Sequence, residues 1–396
     1  MNTSQLLTRG VVDVIDRRHL EKRLKSGTSL RVKLGIDPTS PELHLGHTVV
    51  LRKLRQFQNA GHTAVLIIGD FTARIGDPSG RTSLRVPLTE AQIRANEARY
   101  LKQAYRVLDQ SRIAIHHNSE WFGRMDLGMF IREVAFHVTK QQLQDRDDFV
   151  KRETEGLPIT LAEMLYPMLQ AYDSVQVKAD VELGGTDQLF NLLQGRHLMK
   201  QGFGMTPQDI ITTPLLIGPD GSKKMSKSVG NTINLDDAPA NMYGKLMSIP
   251  DALIIDYFTL VTDLEDKALK TVTMEIKEGA ARKAKAHLAY LIVEELYDSA
   301  GAEKAQAEFD RVFTHKREPN EMPFFHTEHG NMLLVDLLVD AKLAASKSEA
   351  RRLIEQGGVQ VGGKRVSDPT ASIEINNTLI QVGKRRFIRV STRKRG

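Results

Sequence analysis

No cysteine occurs in this chain of 396 residues, which excludes a disulfide, a thiolate zinc site and a cysteine nucleophile and suits a reducing compartment. Missing too is any apolar run near the roughly 20 residues that a membrane helix needs, and the N-terminus carries no apolar signal core. These absences predict a soluble cytoplasmic protein with no membrane partner. An excess of one charge sign is found in one region alone. The net charge is +6, yet residues 332–396 hold 13 Lys+Arg against 6 Asp+Glu while the remainder holds 42 against 43. At this length two or three domains are expected, with the basicity confined to the last.

What is present begins with Arg31 to Leu54. Arg31–Ile36 is β-branched and apolar and stops at Asp37-Pro38, a turn signal; Val50, Leu51, Leu54 and Phe57 then form a helical stripe. Gly61 suits a C-terminal cap, and Thr63–Ile68 reads as a buried strand, completing a βαβ unit. The first helix of such a unit starts at the C-terminal edge of a parallel sheet, where unpaired amides favour an anion. His44 and His47 fall on one face of that first turn, and Gly46 between them lets a ligand approach the backbone. An isolated H-x-x-H is equally at home as two surface residues.

Further along, Gly69–Gly80 is a glycine-punctuated loop at the same sheet edge. It is a poor Walker loop, since three residues separate Gly76 from Gly80 and Arg81 stands where a lysine belongs. Asp77 within it suits an ammonium or a ribose hydroxyl, or merely an Asp-Pro turn. Residues 89–108 and 125–143 read as helical, with Met129–Val138 apolar enough for a subunit contact. His116 and His117 are adjacent, which does not suit one metal. Thr160–Glu163 is a capping box, and on the helix it opens Tyr166, Gln170 and Asp173 fall at i, i+4 and i+7 beside apolar residues. That polar stripe faces solvent or lines a pocket, and Pro167 predicts a local bend. Val175–Val181 is read as a strand, followed by the glycine turn Glu182–Gln188 with Asp187, then a helix over Asn191–Lys200. Ile211–Ile217 reads as another strand, leading into the polar loop Gly218–Gly230 with Lys223, Lys224 and Lys227. Such a loop either closes over a polyphosphate or serves solubility.

Asp251–Phe313 is rich in Ala, Lys, Glu and Leu with helical periodicity, and Thr314–Asn331 reads as a linker whose His326 and His329 lack a third metal ligand. Ser346–Glu349 is another capping box, opening a short helix with Lys347, Arg351 and Arg352 that closes at Gly357-Gly358. Val359–Val366 forms a hairpin about Gly362-Gly363, carrying Lys364 and Arg365. With Lys384–Arg386 and Arg393–Arg395, these residues place cations along a phosphate backbone.

Two of these features together resemble class I aminoacyl-tRNA synthetases: His44-Leu-Gly-His47 looks like the HIGH motif, and Lys224-Met-Ser-Lys-Ser228 is the KMSKS motif unaltered. Tyr166-Pro-Met-Leu-Gln-Ala-Tyr-Asp173 and Gly184-Gly-Thr-Asp-Gln188 resemble the tyrosyl-tRNA synthetase family in particular. The resemblance covers essentially the whole chain. It implies an α/β fold class, with a Rossmann-like parallel-sheet catalytic domain over 1–230, an α-helical anticodon-binding domain and linker over 231–330, and a small α+β RNA-binding domain over 331–396. It also implies that His44, His47, Lys224 and Lys227 carry the reaction, that Asp37, Gly46, Asp187 and Lys227 face ATP, and that Asp77, Tyr166, Gln170, Asp173 and Gln188 surround tyrosine. One departure stands out. Many bacterial members enter the first loop with Tyr-Cys-Gly, the tyrosine donating to the substrate phenol; here Lys33-Leu34-Gly35 occupies those positions.

The implied reaction is in-line attack of the tyrosine carboxylate on the α-phosphorus of ATP, with Mg²⁺ on the phosphates and no protein-held metal or tightly bound cofactor, then transfer of tyrosyl to tRNA(Tyr). A homodimer is implied as well. A tryptophanyl enzyme, a non-catalytic RNA-binding relic and a nucleotidylyltransferase of the same superfamily are the competing readings. An indole has no phenolic donor for Gln170 and Asp173, a relic would have eroded its histidines or lysines, and the helical and basic terminal regions suit tRNA.

Overall fold

The computed structural model describes residues 3–79, 88–144, 146–314, 322–383 and 386–392. Arg81, Lys384, Arg385 and Arg393–Arg395 lie outside the described residues. The chain divides into two compact units, residues 1–303 and 304–396.

The first unit is built on a six-stranded sheet in the order β1-β6-β5-β2-β3-β4. Its strands are β1 (Val14–Ile15), β2 (Arg31–Ile36), β3 (Thr63–Ile68), β4 (Ile113–His117), β5 (Val181–Gly185) and β6 (Asp209–Thr213). All neighbours are parallel except β1, which pairs antiparallel with β6. The run Thr-Ala-Val-Leu-Ile-Ile of β3 is buried after its first residue, as a strand covered on both faces requires. From β2 the sheet steps to β3 and β4 on one side and to β5 and β6 on the other, a topological switch point. β2 and β5 pair only at Val32↔Val181 and Lys33↔Glu182, so beyond that register the sheet splits and a crevice opens at their C-terminal ends.

Two helices line the crevice. Leu45–Asn59 starts from His44 in extended backbone (φ −125°, ψ 168°), buries Val49, Leu51, Leu54 and Phe57, and gives way at Gly61, whose φ of +92° suits only glycine. Leu161–Gln176 opens with the reciprocal Thr160/Glu163 box, in which the Thr160 hydroxyl accepts from the Glu163 N–H at 3.2 Å and the Glu163 carboxylate accepts from the Thr160 N–H at 2.9 Å. This helix runs unbroken through Pro167 to Gln176. Residues 175–176, expected as strand, are therefore helical, because Ala171, Tyr172 and Val175 continue the buried stripe against Phe122, Leu143 and Leu198. β6 likewise ends at Thr213 and not at Ile217; Pro214 follows and has no N–H for the ladder.

Residues 125–143 break into helix Leu127–Glu133, a 3-10 turn at Ala135–His137 and helix Lys140–Gln144. The alanine- and lysine-rich region forms helices Ile254–Val261, Asp266–Lys277, Ala281–Leu296 and Ser299–Phe309. Among the described residues no helix is long and apolar enough to cross a membrane.

The second unit holds a five-stranded sheet ordered β10-β9-β12-β13-β7 and a two-stranded pair, β11-β8. The strands are β7 (Phe324–Thr327), β8 (Asn331–Leu333), β9 (Val359–Val361), β10 (Lys364–Val366), β11 (Ser372–Glu374), β12 (Thr378–Val382) and β13 (Arg386–Thr392). β7 corrects the linker expectation for 314–331 over Phe324–Thr327, since it adds in parallel to β13, while residues 315–321 of that stretch lie outside the described residues. Its Phe325 packs on the core formed by Leu334, Leu338, Ile354, Val359, Ile380 and Val390, and the Ser391 hydroxyl meets His326 Nδ1 at 2.8 Å. The β9–β10 turn has Gly362 and Gly363 both at positive φ, 55° and 78°, the primed geometry its strands' twist demands.

Candidate active site

His44 and His47 stand together at the start of their helix, ring centroids 3.9 Å apart. His47 Nδ1 accepts from the His44 backbone N–H at 3.2 Å, which assigns the neutral ring's proton to Nε2. His44 Nδ1 is buried and has no hydrogen-bond partner. Its ring lies over Gly46, where an added Cβ would come within 2.9 Å of Nδ1, so glycine is needed for the histidine to take this place. Burial lowers the His44 pKa to about 2 and the His47 pKa to about 4, reinforced by the Lys227 charge at both. Both rings are neutral donors and acceptors at neutral pH.

Deeper in the crevice the stripe of the Leu161–Gln176 helix turns inward. Tyr166 and Asp173 are buried, and the Tyr166 hydroxyl donates to Asp37 at 2.9 Å. Asp37 also accepts from the Thr72 hydroxyl at 2.7 Å, which puts it on the pocket wall beside Tyr166. Asp173 accepts from Trp121 Nε1 at 2.9 Å and from Asn118 Nδ2 at 3.4 Å. Burial pushes the Asp173 pKa up to about 7, opposed by the Lys33 charge and by these two hydrogen bonds. Asn191 Nδ2 joins the Gln170 amide oxygen (3.2 Å) to that of Gln188 (3.0 Å), and Gln188 Nε2 donates to Asp77 at 2.6 Å. Asp77 accepts as well from the Ser79 N–H and hydroxyl, at 3.0 and 2.7 Å, so it combines an Asp-Pro turn with a place in the pocket. Buried Arg146 donates to Ser79 Oγ at 2.5 Å and to Asn191 at 3.2 Å.

The lysine loop lies across the crevice mouth. Lys224 donates to Asp187 at 3.1 Å, and Lys227 reaches the Ser40 hydroxyl and lies 3.6 Å from Glu42. Met225 is buried, its Cβ 3.7 Å from where a Cβ on Gly46 would sit. All the expected site residues of the first unit thus gather around one crevice. In the second unit Lys347, Arg351, Arg352, Lys364 and Arg365 are all exposed, on helix Lys347–Glu355 and the β9–β10 hairpin.

Sequence reasoning did not find Trp121, Asn118, Asn191 or Arg146, nor the pairing of Lys33. It also did not find β4, whose residues are only half-buried and alternate weakly. One signal was available. Asn118–Trp121 directly follow β4, and residues just past the C-terminal end of a parallel strand are placed at a ligand crevice.

Known proteins match this chain along its length. The family of class I tRNA synthetases (W and Y) matches residues 25–314, and a tyrosine–tRNA ligase C-terminal domain family matches residues 315–390. A tyrosine–tRNA ligase of Thermotoga maritima is 48% identical over 390 residues, covering 98% of this chain and 96% of the relative. That of Chlorobaculum tepidum is 46% identical over 396 residues, covering 98% and 97%. Among solved structures, the tyrosyl-tRNA synthetase of Archaeoglobus fulgidus complexed with L-tyrosine shares the fold with a TM-score of 0.62 at 24% identity, over 76% of this chain and 98% of that one.

Proposed function

This chain belongs to the class I tyrosyl-tRNA synthetases, and on that premise we propose how its crevice activates tyrosine. It is an aminoacyl-tRNA ligase that uses ATP, tyrosine and tRNA(Tyr); the tryptophanyl alternative is set aside by the full-length tyrosine-specific relatives. Tyrosine enters with its ring along the Leu161–Gln176 helix and its phenol against Asp173. Its ammonium meets Asp77, Tyr166 and Gln170, and Gln188 holds the carboxylate end. The observation that carries this reading is Asp173, a buried carboxylate with two donors on it and acceptor capacity left for a third, which is what a phenolic O–H offers.

ATP then lies over Gly46, with ribose at Asp187 and Asp37 bracing the wall behind. Neutral His44 and His47 donate to the phosphates at the helix start, and Lys224 and Lys227 exchange Asp187 and Glu42 for the β- and γ-phosphates as the transition state forms. No protein nucleophile is involved; the tyrosine carboxylate attacks the α-phosphorus and pyrophosphate leaves. The carboxylates at the mouth, Asp187 and Glu42, are paired with lysines, so the donor set suits Mg²⁺ carried on phosphate oxygens and water, where it neutralises phosphate charge. For the rest of the chain we place the catalytic domain in 1–230, the helical anticodon-binding domain after it, and the RNA-binding domain from β7 onward, because β7 belongs to the sheet of the second unit; the exposed cations of the last support that role. Exposed Ile131 and Phe136, with Leu127 beside them, support a homodimer contact around Met129–Val138. A cytoplasmic location follows from work on tRNA.

Pyrophosphate exchange into ATP without tRNA tests the reading. Exchange is expected with tyrosine and not with phenylalanine or tryptophan; exchange with tryptophan, or with none of the three, would overturn it. A pH dependence should accompany it. Asp173 carries a proton below about 7 and is then only a weaker, neutral acceptor for the phenol, so the KM for tyrosine should rise by up to about tenfold from pH 8 to pH 6. His44 and His47 stay neutral throughout that window and add nothing to it. The rise should vanish in Asp173→Asn, and a profile that persists there would assign it to another group.

A further inference from the structure

Lys33 occupies the position where the family resemblance expects a phenol-donating tyrosine, yet its side chain is fully buried and turned to the protein. An ammonium has three N–H donors. Here one goes to Glu182 Oε1 at 2.7 Å, one to the Ser174 hydroxyl at 2.7 Å and one to the Gln170 backbone carbonyl at 3.1 Å. None remains for a substrate. Glu182 is equally committed, accepting from Lys33, from the Ser174 hydroxyl at 3.0 Å, from Gln208 and from Gln170 Nε2 at 3.4 Å. Lys33 and Glu182 are also register partners at the last paired step before β2 and β5 part.

We propose that the Lys33–Glu182 pair is the positioning element of the tyrosine pocket: it pins the 170–174 turn that carries Gln170 and Asp173 to the point where the sheet splits, and leaves Asp173 as the phenol's partner. The pair acts from below the pocket without touching substrate. It explains how the chain dispenses with the second phenol contact, since a rigidly held acceptor needs less help from a second donor. It also sets the charge around Asp173. The groups facing that carboxylate are Lys33 from β2, Asp37 after β2, Trp121 and Asn118 after β4, and Tyr166 from its own helix; Lys33 is the cation among them.

This inference rests on the tyrosine-pocket reading, and its test is arranged to separate the two. Lys33→Met alone strands a buried carboxylate and is liable to unfold. The double variant Lys33→Met/Glu182→Met removes both charges at similar volume. In steady-state pyrophosphate exchange it is expected to raise the tyrosine KM about 10–10²-fold while the ATP KM holds, and to lower the tyrosine-over-phenylalanine preference. A folded double variant with unchanged tyrosine KM and selectivity would reduce the pair to a structural contact and overturn the proposal. Should the double variant not fold, Ser174→Ala decides by the tyrosine KM and the tyrosine-over-phenylalanine preference, because it removes the hydroxyl bridging both charges and no charge. Wild-type protein run alongside distinguishes the readings: absence of tyrosine exchange there refutes the pocket itself, whereas wild-type exchange with an unaffected variant refutes only the role of Lys33.

Discussion

Alanine at His47 or at Lys227 is expected to slow tyrosyl-adenylate formation about 10²–10³-fold, the scale for removing one preorganised donor from a developing anion. The tyrosine dissociation constant should stay within about twofold, because neither residue lines the amino-acid pocket and the loss falls on the transition state alone. The geometry supports the size of the effect. His47 is held by the His44 N–H with its own proton on Nε2, and its pKa of about 4 keeps it neutral, so the donor is fixed before ATP arrives. Lys227 is held near Glu42 and Ser40 and needs only to exchange partners. Single-turnover measurement of adenylate formation, with tyrosine binding followed separately by equilibrium dialysis, reads both numbers. A variant that activates tyrosine at the wild-type rate would remove that residue from the reaction; one that loses tyrosine binding instead would move it into the pocket.

Asp173→Ala is expected to collapse discrimination between tyrosine and phenylalanine by about 10²–10³-fold. Two losses combine. Tyrosine forfeits a hydrogen bond to a charged acceptor, worth about 1.5–3 kcal/mol, and phenylalanine no longer leaves that carboxylate one donor short, a smaller amount because Trp121 and Asn118 still hold it. Trp121 should act through the same atom. Its Nε1–H holds Asp173 at 2.9 Å, so Trp121→Phe should loosen the acceptor and lower selectivity by a smaller factor. The measurement is kcat/KM for both amino acids in pyrophosphate exchange. Unchanged selectivity in Asp173→Ala would mean that some other group reads the phenol.

Both experiments probe residues that were legible at different ranges. His44, His47, Lys224 and Lys227 were readable because each pair lies within one turn or one loop, where spacing alone brings groups together. The Tyr166, Gln170, Asp173 stripe was readable as a helical face, but whether it met solvent or a ligand was not. Burial removes the solvent reading for Tyr166 and Asp173, since β2, β5 and the segments after β2 and β4 cover the face with polar partners. Strand ends were misjudged where a local pattern ran on past its support. Val175 is as apolar in a helix as in a strand, and only the packing against Phe122 and Leu198 selects between them.

The sequence by itself determined the βαβ entry, the capped helices, the histidine and lysine signatures and the basic terminal module, because each depends on periodicity, turn chemistry or composition over fewer than about twenty residues. The tertiary structure alone decided that Asp37 faces Tyr166, that Trp121 holds Asp173, that Phe324–Thr327 is a strand, and that Lys33 looks inward to Glu182. Those pairs are 129, 52, 65 and 149 positions apart. No local preference encodes such separations; they are fixed by the order and register of the strands, and a buried lysine reveals its role only once the carboxylate that neutralises it has been brought beside it.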